Sequence, residues 1–189
     1  MLDKLKESPS RKLLLIITIG ALVSFIIITI IFQLDNATVS ALSPYGILHF
    51  EFAFTPAAAQ AIVTNWAITI PSVTPIILNG IYLDFVYIAA YGLALMSANI
   101  LIVRALSDHW WNFGIICGIA PIIAGILDIV ENINLLTILN DPSGFPAFAP
   151  PVAAVCAGIK FGLLFLAIGF FLLGGIILLI RKIRGGSDS

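Results

Sequence analysis

Four long, almost uninterrupted apolar runs organise the chain: about Leu13 to Leu34, Ile81 to Val103, Phe113 to Leu139 and Ala153 to Ile180. Each meets or exceeds the roughly 20 residues that an α-helix needs to cross a ~30 Å hydrocarbon core. A membrane β-barrel would instead show many alternating segments of about 10 residues. The pattern predicts an all-α, polytopic transmembrane four-helix bundle, a single domain over residues 1–189. The segment 35–80 is long for a loop and still apolar. Ser43-Pro44 and Thr55-Pro56 each read as an N-cap followed by proline at the first helical position. They predict short helices over about 44–54 and 56–68, lying as an external cap on the bundle. Residues 47–54 also alternate as a strand would, but a lone strand at a membrane surface leaves its backbone unpaired, which favours helix. Pro71 and Pro75 are expected to break the chain before the second span.

Composition agrees with this reading. Of 189 residues, 60% are hydrophobic and 10% charged, with a mean hydropathy of +1.12. Soluble domains carry about 25% charged residues, so a soluble enzyme, a nucleic-acid binder and a disordered chain are excluded. A net charge of −1 implies neither a basic nor an acidic partner surface. Lys4, Lys6, Arg11 and Lys12 precede the first span, Arg104 ends the second, and Arg181, Lys182 and Arg184 follow the fourth. The 35–103 and 140–151 stretches have no Lys or Arg. The positive-inside rule then puts both termini in the cytoplasm and the cap outside, in a bacterial cytoplasmic membrane. The first run is too long for a 7–15-residue signal core, although Val39-Ser40-Ala41 resembles a cleavage site. Asn36-Ala37-Thr38 has the form of a glycosylation sequon but lies too close to the membrane to be used. Trp110 and Trp111, beside Asp108 and His109, read as an interfacial aromatic belt.

Cys117 and Cys156 fall near opposite ends of their spans, too far apart for a disulfide within one chain. No CxxC motif is present, which excludes the membrane thiol–quinone oxidoreductases. His49 and His109 fall on opposite sides, so neither a bis-histidine haem nor a zinc set is formed. No metal and no cofactor are expected.

Ionisable residues inside spans are costly and face a bundle interior or a cavity. Here they are Asp84 in the second span, Asp128 and Glu131 in the third, and Lys160 in the fourth. Asp128, Glu131 and Asn132 share one helix face, and Asp84, Tyr87 and Tyr91 form a second stripe. Thr18, Phe25, Thr29 and Gln33 fall roughly on one face of the first span, and Asn134 adds an amide. Counting the helical rise from the outer ends places the acids and Lys160 at overlapping depths in the outer half or near the midplane. Glu51, His49, Gln60 and Asn65 are the polar exceptions in the cap above them. Three or four carboxyls against one lysine cannot all ionise in low dielectric. Either a Lys160–carboxylate pair forms and the other acids are protonated, or a cation is held. Carboxyls pushed apart in acidity are what acid–base chemistry uses. The small-xxx-small patterns Gly114…Gly118 and Ala154…Gly158…Gly162 predict close helix approach, and Pro121 a kink in the third span.

The residues His49-Phe-Glu-Phe-Ala-Phe-Thr-Pro, Trp66, Tyr82-Leu-Asp-Phe-Val-Tyr-Ile-Ala-Ala-Tyr91, Leu127-Asp-Ile-Val-Glu-Asn132 and Lys160 together resemble a group of small bacterial four-helix membrane proteins. The resemblance covers about residues 48–165 and implies the topology alone.

The leading expectation is an integral membrane protein that binds a lipid-like or small amphipathic ligand among membrane lipids, with acid–base chemistry on it as an extension. Asp128 and Glu131 would be the acid–base pair, and Lys160 would neutralise or hold an anionic group. Asp84, Tyr87, Tyr91, Asn132, Glu51 and His49 would line or orient the ligand. The alternatives are a non-catalytic assembly subunit, partnered by another membrane protein, whose buried ion pair fixes helix packing, and a proton or cation path.

Overall fold

A computed structural model describes residues 5–106 and 108–185. Lys4, counted above among the basic residues, lies outside the described residues. Among the described residues the chain is helical throughout, without strands. Helix α1 spans Arg11–Leu42, α2 Ile47–Glu51, α3 Pro56–Ile68, α4 Thr74–Ala105, α5 Trp111–Asn140 and α6 Ala149–Gly185. A single 3-10 turn, Asp108–Trp110, leads into α5. Helices α1, α4, α5 and α6 are each long and apolar enough to cross a membrane. The protein is a membrane protein by that criterion, and a helical bundle by its packing.

Local signals set most of the helix ends. Ser10 caps α1 by accepting from the Leu13 amide at 3.2 Å. Thr55 caps α3 by accepting from the Ala58 amide at 3.2 Å, with Pro56 in the first turn, as the sequence predicts. The matching expectation at Ser43-Pro44 is wrong. Ser43 closes α1 rather than opening a helix, its amide donating to Val39 O and its hydroxyl accepting from the Tyr45 amide and donating to Asn65 Oδ1. Those local bonds use up the hydroxyl, so α2 begins only at Ile47. Pro75 sits in the first turn of α4 instead of before it, because a first-turn proline forfeits only an amide that has no helical partner. Helix α5 runs through Pro121 as one element.

Helix α1 packs along α4, α4 on α5, and α5 on α6, while α4 also touches α6. Helix α1 makes no comparable contact with α6. Two cores hold the ends. At the cap end, Trp66 and Phe50 pack with Val39, Leu135 and Ile138. The Trp66 indole donates to Tyr45 O at 2.8 Å, and its ring meets Phe50 edge-on at 5.1 Å. That anchor seats α2 and α3 on the bundle. At the terminal end, Val103, Trp111, Ile115 and Phe170 form the second core. Trp111 is therefore a core residue, with the Lys6 ammonium 5.2 Å from its ring, rather than a belt residue.

Polar ties replace water between the helices. The Asn99 amide donates to Cys117 O and Ala167 O, both at 3.2 Å, so one α4 side chain clamps α5 and α6. Arg104 donates to Leu5 O and Pro9 O, both at 2.7 Å, fastening the N-terminal segment. Gly114 lets α5 approach so closely that a Cβ there would collide with Val103 and Phe170. The Gly158 and Gly162 seam does not pack within the chain: both are exposed, with nothing within 4 Å of a built Cβ. Cys117 and Cys156 are both buried free thiols.

Candidate functional site

Lys160, on α6, is the hub. Its Nζ lies 2.7 Å from Asp128 Oδ1, 2.8 Å from Glu131 Oε2 and 3.9 Å from Glu51 Oε2. Asp128 and Glu131 come from α5, one turn apart on the same face, and Glu51 comes from the last position of α2. The Asp128 contact is an aligned hydrogen bond. The Glu131 contact is close but misaligned, and neither Glu131 oxygen has a hydrogen-bond partner. Glu51 Oε2 is likewise buried without a donor. Lys160 also stands 5.1 Å from the Phe161 ring. Phe161 in turn stacks on Phe52 just after α2, joining the cap to α6.

Helix α4 supplies the next layer. Tyr91 OH donates to the second oxygen of Asp128 at 3.0 Å. Asp84 Oδ2 accepts from Asn132 Nδ2 at 2.7 Å. Tyr87 touches Tyr91 edge-on, stacks on Phe25 at 5.0 Å and accepts from Thr29 at 3.3 Å, linking α1 to the cluster. Burial pushes the Glu51 carboxyl above its ordinary value; Lys160 opposes that shift and Asp128 adds to it.

Beside the cluster lies a cavity of about 610 Å³, within the 300–1,000 Å³ usual for small-molecule sites. Its polar wall is Glu51, Asp84, Asp128, Asn132 and Lys160. Asn36, Tyr87 and Tyr91 also line it; away from the cap the lining is apolar, descending through Phe25, Leu22 and Leu95 on one side and Leu164, Phe165 and Ile168 on the other. Both α1 and α6 line it although they do not pack together along their length, so the cavity lies between them. Phe165, 72% exposed, stands on that lip.

Asp84, Tyr87, Tyr91, Asp128, Asn132, Lys160 and Glu51 are thus brought together on the cavity wall. Glu131 joins the cluster without lining the cavity. His49 is not brought in: it lies on the exposed side of α2, where Nδ1 accepts from the Gly46 amide at 3.2 Å. Gln33 is exposed, and Asn134 donates to its own helix at Val130 O. The apolar trough is what sequence reasoning missed. Phe25 and Phe32, seven positions apart on α1, and Phe161, Leu164, Phe165 and Ile168 at helical spacing on α6 carried its signal. No family model matches the chain, and no curated protein or solved structure does either.

Proposed function

We propose that the protein binds an amphipathic, lipid-like molecule that enters from the bilayer between α1 and α6. The observation that carries this reading is the composite cavity, in which a polar wall of carboxyls, Asn132 and Lys160 adjoins an apolar trough that runs on to Ile168. A polar head meets Glu51, Asp84, Asp128 and Asn132, while an apolar chain lies against Phe25, Leu95 and Leu164. On the positive-inside orientation, the head sits in the outer leaflet of a bacterial cytoplasmic membrane. Of the expected acid–base pair, Asp128 meets the cavity, and Glu131 acts on it only through Lys160. The binding role stands without a bond-making step.

Native mass spectrometry of protein purified in mild detergent tests the reading. Wild type retains a discrete amphiphile mass. Leu95→Trp, which fills the trough and leaves the polar cluster intact, loses it or keeps only shorter chains at unchanged melting temperature. Bare protein in both refutes binding.

The contacts of Lys160 with α5 and α2 favour a second reading, a structural latch holding cap to bundle within an assembly subunit. That reading predicts no retained mass and no effect of Leu95→Trp. In the terminal half, Thr18 and Ser97 bond each other at 2.7 Å and the Asn99 amide nitrogen is spent on carbonyls, which leaves few polar groups for a proton or cation path.

A further inference from the structure

The charge inventory of the cavity wall narrows the ligand class. Three carboxyls line it, Glu51, Asp84 and Asp128, against one basic group, Lys160. Lys160 carries three N–H donors. One bonds Asp128, and the ammonium is further enclosed by Glu131 at 2.8 Å and Glu51 at 3.9 Å. An anionic head would have to displace a carboxylate that already touches Lys160 and would then stand beside the others. The opposite charge finds an open position. Glu51 is 9% exposed, its Oε2 has no hydrogen-bond donor, and its side chain lines the cavity. A buried acceptor left without a donor costs stability, and an N–H from a ligand removes that cost. Asp84 takes one bond, from Asn132, and its other oxygen is not occupied by it. Aromatic faces that favour a cation stand alongside: Tyr87 lies one turn below Asp84 on α4 and stacks on Phe25.

We propose that the cavity takes a single-chain amphiphile with a protonated amine head, the ammonium seated against Glu51 and Asp84 and the chain lying along Phe25, Leu164 and Ile168. This rests on the amphiphile reading above and specifies its head. The ammonium donates to Glu51 Oε2 and to Asp84, and adds a second positive charge to a cluster in which carboxyls outnumber ammonium groups. The trough below Lys160 runs eight positions to Ile168, or about 12 Å of helix rise, which suits one extended chain.

The probes are dodecylamine, dodecanol and dodecanoate, which differ in the head alone. Protein in dodecyl maltoside is incubated near pH 7 with an equimolar mixture, and adducts are read by native mass spectrometry. The amine adduct is expected to exceed the carboxylate adduct by about tenfold or more, the scale of one charge-assisted hydrogen bond. In Glu51→Gln and in Asp84→Asn that preference falls, while the dodecanol adduct, which reports an intact trough, stays as in wild type. Equal or preferred binding of dodecanoate overturns the amine assignment and leaves the amphiphile reading standing. An amine preference unchanged in both variants overturns the seat at Glu51 and Asp84. No adduct with any of the three heads overturns both readings.

Discussion

Replacing Lys160 by methionine removes the one positive charge of the buried cluster while keeping most of the side-chain volume. Asp128 loses its 2.7 Å hydrogen bond, and Glu131 loses its 2.8 Å ion-pair contact. Lys160 and both acids are buried, Glu131 fully and away from the cavity, so little of what is lost is replaced by water. Breaking a buried pair by deleting one partner costs about 3–5 kcal/mol, chiefly because the other partner is stranded. At roughly 2–4 °C per kcal/mol for a chain of this size, the melting temperature near neutral pH should fall by about 6–20 °C. Removing the acids as well should recover most of the loss, because replacing a whole buried ion cluster by neutral groups of similar volume is often without cost. The assay is thermal unfolding in mild detergent for wild type, Lys160→Met, and Lys160→Met combined with Asp128→Asn and Glu131→Gln. A single variant within about 1 kcal/mol of wild type near neutral pH would refute the reasoning, as would a triple variant no more stable than the single.

Three further outcomes follow from particular contacts. Burial holds the Glu51 carboxyl above its ordinary value of 4.5, against Lys160 from α6 and with Asp128 from α5 adding to the shift; Glu131 of α5 contacts the same Lys160, and Asp84 of α4 shares the cavity wall. The stability this raised value contributes is complete below 4.5 and is lost as pH rises through the folded value. Wild type should therefore lose melting temperature relative to Glu51→Gln as pH is raised from about 4 to 8, and a flat difference would contradict it. Gly114→Ala should cost about 1–3 kcal/mol, since its new methyl collides with Val103 and Phe170. Gly162→Ala, with open space around it, should stay within about 0.5 kcal/mol or gain slightly, and denaturant titration of the pair reads the contrast. Asn99→Leu should lower stability by about 1–3 kcal/mol by stranding Cys117 O, whose helical donor position is taken by Pro121, with no change in ligand retention, because Asn99 does not line the cavity.

The charged cluster was legible in the sequence because ionisable residues are so rare there. Helical spacing put Asp128, Glu131 and Asn132 on one face, and depth matched them to Lys160 and Asp84; each is near another of the set in the structure. Thr55-Pro56 marked the start of α3 for the same reason, a local signal with a local effect. Ser43-Pro44 carried the same signal and misled, since the Asn65 amide and the Tyr45 backbone compete for that hydroxyl. Apolar residues carry no such information. Apart from Thr18 and Thr29, which do face α4, the membrane-length parts of α1 and α6 are apolar on most sides, so the sequence hardly distinguishes a face that packs from one that meets lipid. That is why the exposed Gly158–Gly162 face was expected inside, and why the opening between α1 and α6 was not foreseen. His49 was grouped with Glu51 by proximity along the chain, but neighbouring positions on a helix point apart, and only Glu51 turns inward.

The position of Lys160 in the last helix also has a meaning for how the protein is made. Its closest partners, Asp128 and Glu131, are synthesised first, and Lys160 follows Glu131 by 29 positions. At translation rates of about 5–20 residues per second, the two acids wait roughly 2–6 s before their cation leaves the ribosome. If α5 inserts during that interval, both acids are without their cation, and an ionised Asp128 near the helix centre would add about 2.5–3.5 kcal/mol against insertion. Helix α5 is therefore held in place by the remainder of its apolar surface and by α4, whose Tyr91 already offers Asp128 a hydrogen bond. The nascent chain becomes electrically complete only when α6 arrives. A chain that ended between α5 and α6 would hold Asp128 and Glu131 without the one ammonium that contacts them.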